Sequence, residues 1–256
     1  MSERGYILAI FIFIIGCSKD PQEVNIYSIP DEFRLDMHQA VSNEGSQPAF
    51  KISTIESRMC IDDKIIVTIS KIGQNIGIDI LSIDKAPECN GLPGRISTDV
   101  YAFMQPGTYN IQVILKDQIK NDGRLTVDEE QFSLSLSTDH GLELGQLNIK
   151  KIPDQLIWGY VGIEERSTDP LDQTLYEALL PYMSQISAIE KGDYGLFSIN
   201  NEGEIIFDDL GNLILQKKFL MKMEGSKTDI SKVVEEFKDN HPGYVVKIFT
   251  SRGVIS

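Results

Sequence analysis

Residues 132–137 read Phe-Ser-Leu-Ser-Leu-Ser, so that an apolar side chain occupies every second position. Successive side chains of a β-strand point to opposite faces, and this alternation is typical of an antiparallel strand with one face in a core. Similar short β-rich runs lie at 64–69, 76–83, 100–103 and 108–115, separated by turn residues. Short strands at this spacing, without a long helical period, predict a β-sandwich.

One stretch within this region, residues 99–113, contains a Pro106-Gly107 pair followed by Thr-Tyr and an alternating strand. Such a pair suits a turn because Pro presets one backbone angle and Gly permits a positive one. The stretch resembles the late-strand motif of PKD-like and other immunoglobulin-like modules, in which Tyr109 would be a core-facing ring. The Trp-Asp-Phe-Gly-Asp-Gly stretch common in PKD domains is absent upstream. The resemblance therefore implies an immunoglobulin-like β-sandwich over residues 51–150, and not a PKD domain as such.

The pattern changes beyond this region. Residues 156–163 are apolar enough for a strand, and Asp169-Pro170 is typical of a helix start, with Asp as N-cap and Pro at the first position. Pro181 should kink or split that helix. Three short β-rich runs and a second helix over about 228–240 follow. This order predicts a smaller α+β domain over 151–256, with its helices on one face of a mostly antiparallel sheet.

The amino-terminal segment has an apolar run at residues 7–15, roughly half the length that a membrane span needs. That length fits the apolar region of a secretory signal peptide. The end of the segment, Ile14-Ile15-Gly16-Cys17, resembles the lipobox of bacterial lipoproteins. The resemblance implies that residues 1–17 are a signal peptide and that acyl chains on Cys17, such as palmitate, hold the mature protein on a membrane. A standard cleaved signal in which Cys17 is incidental is the alternative.

The residues after Cys17 bear on localisation. Ser18 is unlike the Asp that retains some lipoproteins at the inner membrane, so the resemblance favours the outer membrane of the cell envelope, on its periplasmic or surface face. Residues 18–50 are mixed and poorly periodic, with three prolines. We interpret them as a tether that can supply an edge strand around 24–27.

The remaining cysteines are Cys60 and Cys89. In an exported protein an even remainder favours a disulfide bond, although two unpaired buried thiols are the alternative. A zinc site would need further ligands at short spacing, and the histidines are scattered. They stand at His38, His140 and His241. We therefore predict a disulfide and no Cys/His metal site.

Residues 122–129 resemble the second half of an EF-hand calcium loop, with a Gly at the turn and a Glu at the end. The first half does not fit, because the first and third ligand positions fall on Gln118 and Lys120. The stretch Asn121-Asp122-Gly123 is typical of a hairpin turn, which is our prediction for this segment. Calcium binding near Asp122 is the alternative.

Recognised catalytic signatures are missing from the sequence, which has no Gly-x-Ser-x-Gly, His-Glu-x-x-His or phosphate-loop motif. No catalytic residue and no cofactor is predicted. Trp158 and Tyr160 are a possible ligand surface, because aromatic rings can stack on sugars, and burial in a core is the alternative. Four of the runs of adjacent carboxylates are the acidic candidates, and such runs are more typical of solvated turns than of a catalytic pair. They are Asp62-Asp63, Asp128-Glu129-Glu130, Glu164-Glu165 and Asp208-Asp209.

The overall charge narrows the choice of partner. Lys and Arg total 24 against 38 Asp and Glu, which gives −14 at pH 7. That charge repels phosphate backbones, so no nucleic-acid partner is expected. The sequence predicts a lipid-anchored envelope protein with a non-enzymatic binding or assembly role toward a protein or glycan. The alternatives are a surface polymer hydrolase using carboxylates of the C-terminal domain, and an inhibitor or immunity protein that blocks a basic partner.

Overall fold

The structure of the protein is a computed structural model. Most of its helices and strands are strands, which confirms the predicted β-rich fold. The signal peptide, Cys17 and the edge strand expected around 24–27 lie outside the described residues. In the described part of the chain, no helix is both long and apolar enough to cross a bilayer. The structure describes residues 30–42, 45–89, 91–163, 171–186, 189–207, 210, 213 and 215–255.

The first part of the chain forms a unit of two larger sheets, which we call the two-sheet unit. A four-stranded sheet has the order β11-β1-β2-β7, a six-stranded sheet has the order β12-β10-β9-β8-β5-β4, and β3 pairs with β6 in a small ribbon. The strands are β1 (Phe33–Ser42), β2 (Gly45–Thr54), β3 (Met59–Cys60), β4 (Lys64–Ile72), β5 (Asn75–Asp84), β6 (Pro93–Gly94), β7 (Ser97–Tyr101), β8 (Gly107–Leu115), β9 (Ile119–Val127), β10 (Gln131–Leu136), β11 (Leu142–Leu144) and β12 (Asn148–Lys150).

The inner faces of both larger sheets share one hydrophobic core. Phe33 and Phe50 enter it from the four-stranded sheet, and Ile78 and Val113 enter it from the six-stranded sheet. The alternation in β10 has the expected consequence, since Phe132 and Leu134 are buried while Ser133 and Ser135 lie on the other face. Burial of these apolar faces against each other is the main source of stability for such a unit.

Residues 33–42 and 45–50 differ from the tether expected there. They form β1 and most of β2, which pair in antiparallel register from Phe33 opposite Thr54 to Ser42 opposite Gly45. The inward side chains of β1 are apolar at Phe33 and Leu35, so this segment contributes to the core. The two-sheet unit therefore begins well before residue 51.

The hairpin turn predicted at Asn121-Asp122-Gly123 is wrong, because these residues lie inside β9. The chain turns instead between β8 and β9, where the Gln118 N–H donates to the Leu115 carbonyl at 3.0 Å. Lys116 and Asp117 at this turn have φ values of 50° and 57°. Two successive positive φ values define the turn type that matches the twist of a β-hairpin.

The Asn121 side chain explains why a turn-forming residue lies within a strand. It is fully buried, its amide nitrogen donates to the His140 carbonyl at 3.0 Å, and its oxygen accepts from the His140 N–H at 2.9 Å. Asn121 thus satisfies both backbone groups of a residue in the loop before β11. The neighbouring Asp122 lies on an extended strand and accepts from Gln112, so this segment does not coil as a calcium loop does.

The chain after residue 155 forms a second, smaller unit, which we call the C-terminal unit. Its main sheet is antiparallel with the order β14-β18-β13-β19-β20, and a three-stranded sheet has the order β15-β16-β17. The elements are β13 (Leu156–Ile163), α1 (Leu171–Leu179), β14 (Met183–Ser184), β15 (Gly192–Asp193), β16 (Ser198–Ile199), β17 (Ile205–Ile206), β18 (Leu215–Met223), α2 (Lys227–Asn240), β19 (Tyr244–Thr250) and β20 (Gly253–Val254).

The main sheet of the C-terminal unit is covered on both faces. Leu175 of α1 and Val234 of α2 pack with Ile157 on one face, and Phe197, just before β16, packs with Trp158 on the other. Every residue of β13 is buried because this strand lies in the middle of the sheet. As expected of a proline at that point, α1 gives way to a short 3-10 turn that contains Pro181. The predicted helix start at Asp169-Pro170 lies outside the described residues.

Strand β1 joins the two units. Its Gln39 is buried between them, and the amide nitrogen donates to the Lys150 carbonyl at 2.7 Å and to the Tyr194 carbonyl at 2.6 Å. The Gln39 oxygen accepts from the Ile152 N–H at 3.1 Å. Two residues further along, Val41 packs against the core of the C-terminal unit. A single strand therefore contributes to both cores.

Candidate functional site

The best candidate site is a cleft of about 450 Å³ on the outer face of the four-stranded sheet. Because side chains alternate along β1, burial of Phe33, Leu35 and Met37 places Arg34, Asp36 and His38 on the opposite face. The turn after β15, with Asp193 and Gly195, forms the wall from the C-terminal unit. A concave site between two packed units is a common place for a ligand.

The pairing register of the strands places charged side chains next to each other on this face. Asp36 lies opposite Lys51, and Lys51 in turn lies opposite Asp99, so one row across three strands alternates in sign. In the neighbouring row, Arg34 lies opposite Glu143 of β11 and opposite Ser53 of β2. Side chains directly opposite on neighbouring strands are about 5 Å apart at their Cβ atoms and interact strongly.

Arg34 is held by two carboxylates. Its Nε lies 2.8 Å from Asp36 Oδ2, and its Nη1 lies 2.7 Å from Glu143 Oε1. The hydrogen bond to Asp36 is the main reason that the pKa of Arg34 is raised above its usual value. Asp36 also accepts from the Gln146 N–H at 2.8 Å. At Gly145, a Cβ atom would lie 1.8 Å from Asp36 Oδ1, so a residue without a side chain is needed there.

A second pair lies further along the same face. His38 Nε2 is 3.1 Å from Asp99 Oδ1. The contact with His38 holds the pKa of Asp99 below its usual value, and the nearby Lys51 lowers this pKa further. A general acid at neutral pH needs a raised pKa, so Asp99 is shifted in the wrong direction for that role.

The remaining lining residues extend this mixed charge. Lys51 and Arg95 are exposed cations at the cleft, and Asp193 accepts from the Gly195 N–H at 2.6 Å. Gly195 has a φ of 76°, and a Cβ atom there would lie 2.6 Å from His38 Cα. The turn can therefore approach β1 closely only because residue 195 is a glycine. Cations and carboxylates stand side by side, which suits a ligand that carries both signs of charge.

Among the described residues that line the cleft, the serines lie away from the histidine. Ser53 lies opposite Arg34, and Ser97 lies opposite Ser53 in the same row. His38 is four residues further along β1 than Arg34, which corresponds to about 13 Å along the strand. Nucleophilic catalysis needs the hydroxyl within hydrogen-bond reach of its base. The described residues of the cleft can bind and orient a ligand, but they do not include a serine within reach of His38.

The possible ligand surface at Trp158 and Tyr160 is a wrong prediction, because both side chains are buried. The Trp158 ring has its centroid 5.2 Å from that of Phe197 and 5.9 Å from that of Phe249. Tyr160 meets Phe207 edge to face at 5.3 Å. Since β13 is the central strand of a sheet covered on both faces, its aromatic rings belong to the core.

The described carboxylate runs have structural contacts. Asp63 accepts from the Ala86 N–H at 2.9 Å and from Lys85 at 2.9 Å, and these bonds hold its pKa below the usual value. Asp128 accepts from the N–H groups of Glu130 and Gln131 and so closes the turn between β9 and β10. The runs at 164–165 and 208–209 lie outside the described residues.

Cys60 and Cys89 are paired as a disulfide, as predicted from the sequence. Their Cα atoms are 5.7 Å apart, and their sulfur atoms are at bonding distance. The link ties β3 to the loop that leads to β6. An acidic side chain, Asp62, lies beside the two sulfur atoms, but cysteines joined in this way do not offer thiolate ligands to a metal.

In comparisons with known proteins, no family model, curated protein or solved structure matches the chain. Sequence reasoning missed the charged cleft, although one signal for it was present. Apolar and charged residues alternate from Phe33 to His38, a pattern that predicts a strand with one charged face.

Proposed function

We propose that the protein is a lipid-anchored protein of the cell envelope, on the outer membrane, and that it binds or assembles with another molecule without catalysing a reaction. Support for the anchor is the resemblance of Ile14-Ile15-Gly16-Cys17 to a lipobox. Support for the binding role is one observation about the cleft: Arg34 is held in place by the carboxylates of Asp36 and Glu143. Such preorganised pairs present a fixed pattern of potential to a partner.

A protein segment fits this cleft better than a glycan does. Across the sheet, the charge of the side chains changes sign from one strand to the next. A partner with alternating charges could therefore pair each of its charges with an opposite one in only one register. Like charges placed opposite each other cost several kcal/mol, which gives selectivity. Sugars would use the hydroxyls of Ser53 and Ser97, but the exposed cations Lys51 and Arg95 would then gain no carboxylate from the ligand.

We also propose that the two-sheet unit is an immunoglobulin-like sandwich. The ring of Tyr109 is buried, and its hydroxyl donates to the Gln105 carbonyl four residues upstream at 2.7 Å. A tyrosine near the start of a late strand with a hydrogen bond to the upstream backbone is the tyrosine corner of immunoglobulin-like sandwiches. The position of Tyr109 after the Pro106-Gly107 turn supports the same assignment.

The anchor is tested by Cys17→Ala. We expect the wild-type protein to partition into the detergent phase and to carry added acyl mass on its first mature residue. The variant should remain in the aqueous phase. Equal partitioning of both proteins would contradict the lipid anchor.

The binding role is tested by crosslinking in intact envelopes. Lys51→Glu reverses the charge at the centre of the Asp36–Lys51–Asp99 row, and Lys232→Glu makes the same change in net charge on the exposed side of α2. We expect a crosslinked partner that is lost with Lys51→Glu and kept with Lys232→Glu. The purified protein should release no reducing ends from envelope polymers, and release that depends on the cleft would overturn the proposal in favour of a hydrolase.

A further inference from the structure

The two ends of the two-sheet unit differ in what they carry. At one end the chain enters at Pro30, and the Glu32 carbonyl accepts from the Ile55 N–H at 3.1 Å. The Thr54 N–H donates to the Ile96 carbonyl at 2.9 Å, so the start of the described chain lies beside the residues that lead to and from the β3–β6 ribbon. The C-terminal unit joins at the other end, where Gln39 contacts it.

The β3–β6 ribbon is held firmly at the end where the chain enters. Met59 is buried in the core of the two-sheet unit and pairs with Gly94, while Cys60 pairs with Pro93. The link from Cys60 to Cys89 and the ion pair between Lys85 and Asp63 tie the neighbouring loop to the same place. A surface on this ribbon is therefore presented in a fixed position.

Two large apolar side chains project from the ribbon. Leu92 is 84% exposed and Ile61 is 58% exposed. They adjoin each other, because Ile61 packs on the backbone of Gly91, where a Cβ atom would lie 2.1 Å from Ile61 Cγ2. We call Ile61 and Leu92 the apolar tip. Adjoining exposed apolar side chains form contiguous apolar surface, which marks a contact site more often than singly scattered exposed residues do.

The tether limits where this tip can go. The chain from Cys17 to Pro30 spans 13 residue steps, and a fully extended chain of that length reaches at most about 45 Å. A group attached to a surface by so short a tether has a high effective concentration at that surface, so a weak contact is enough to hold it there. The tip lies at the tethered end, whereas the C-terminal unit lies at the far end.

We propose that the apolar tip contacts the bilayer to which Cys17 is anchored, a proposal that rests on the lipid anchor proposed above. Ile61 and Leu92 would enter the boundary between headgroups and acyl chains, where apolar side chains are favoured. The contact adds a second attachment point to the acyl chains and directs the C-terminal unit away from the membrane. The occupant is a lipid surface of low charge, because the chain carries −14 and is repelled by anionic lipids.

The test uses tryptophan quenching by brominated acyl chains. Leu92→Trp places a probe at the tip, and Ile72→Trp places a matched probe at a position that is 79% exposed at the other end of β4. The ends of this 9-residue strand are about 27 Å apart. The chain's own Trp158 is buried in the C-terminal unit, so it contributes an unquenched background in both variants.

Each acylated variant is reconstituted in phosphatidylcholine vesicles with and without brominated chains. We expect brominated chains to quench the fluorescence of the Leu92→Trp probe roughly twofold and that of the Ile72→Trp probe only slightly. The reason is that only the tip would enter the bilayer, by a few ångströms, and so come near the bromine atoms. Acylated protein that sediments with vesicles but shows equal quenching of the two probes would overturn the tip contact alone. Protein without acyl mass, which stays in the supernatant, would overturn the anchor and the tip contact together. In intact envelopes, a crosslink from the tip to another protein would also overturn the bilayer contact.

Discussion

Replacement of Gln39 by Leu tests how the two units are held together. The variant keeps a side chain of similar size but removes the bonds to the carbonyls of Lys150 and Tyr194 and to the N–H of Ile152. The Tyr194 carbonyl and the Ile152 N–H would remain buried without a partner, while the Lys150 carbonyl is partly accessible, and each buried group costs about 1–3 kcal/mol. Taking about 1.5 kcal/mol for each of the two buried groups, we expect the free energy of unfolding to fall by about 3 kcal/mol.

Urea denaturation of the Cys17→Ala protein measures this effect without detergent. With a slope of up to about 3 kcal/mol/M, the midpoint should fall by about 1 M or more. Gln112→Leu is the matched control, because Gln112 makes a single bond on the outer face of the six-stranded sheet, to Asp122 at 2.6 Å. The control should change the free energy of unfolding by less than about 0.5 kcal/mol. Equal midpoints for Gln39→Leu and Gln112→Leu would refute the reasoning.

Three further predictions concern single contacts. Tyr109→Phe keeps the buried ring but loses the bond to the Gln105 carbonyl, so urea denaturation should show a loss of about 1 kcal/mol, and no loss would contradict the tyrosine corner. Cys60 and Cys89 are 29 residues apart, so opening their disulfide should cost about 3–4 kcal/mol, and recovery of both as free thiols by non-reducing mass spectrometry would contradict the bond. Because the folded-state pKa of Asp99 is lowered, its ionised form stabilises the fold above the unfolded value of about 4, and this contribution is lost as the pH falls through the folded value. Asp99→Asn should therefore lose less stability than wild type on acidification from about pH 5 to about pH 2, and parallel curves would contradict the His38 contact.

Local runs of apolar residues were the most reliable signal in this sequence. The strand expected at 156–163 and the second helix expected over about 228–240 correspond to β13 and α2 within a residue. Both signals are local, because β13 is a continuous apolar run and α2 has apolar residues at helical spacing. The end of α1 before Pro181 was also predictable from local sequence, because a proline cannot donate the backbone hydrogen bond that a helix needs.

Turn chemistry was less informative, because the same residue types serve two purposes. Asn121 and Gly123 are typical turn residues, yet the buried Asn121 side chain bonds the backbone of His140, far away in sequence. The turn itself uses Lys116 and Asp117, which adopt positive φ values without a glycine. Only the tertiary structure decides between these uses, because the partner of Asn121 is brought near by the fold.

The candidate cleft could not be located from the sequence. Its charged row depends on the register that places Asp36, Lys51 and Asp99 side by side, and its wall comes from Asp193. Register follows from the pairing of whole strands, and no local pattern specifies it. The aromatic residues were misread for a similar reason, since Trp158 lies on a strand whose second face is covered only by the later three-stranded sheet.

The path of β1 has a mechanical consequence. A chain fastened at its amino end would transmit any pull directly into β1, which runs antiparallel to β2 over its full length of 10 residues. Tension along a strand in this geometry loads its interstrand hydrogen bonds simultaneously in shear, instead of breaking them one after another as in peeling. Because β1 continues to the core of the C-terminal unit, the same strand would carry the load from one end of the molecule to the other.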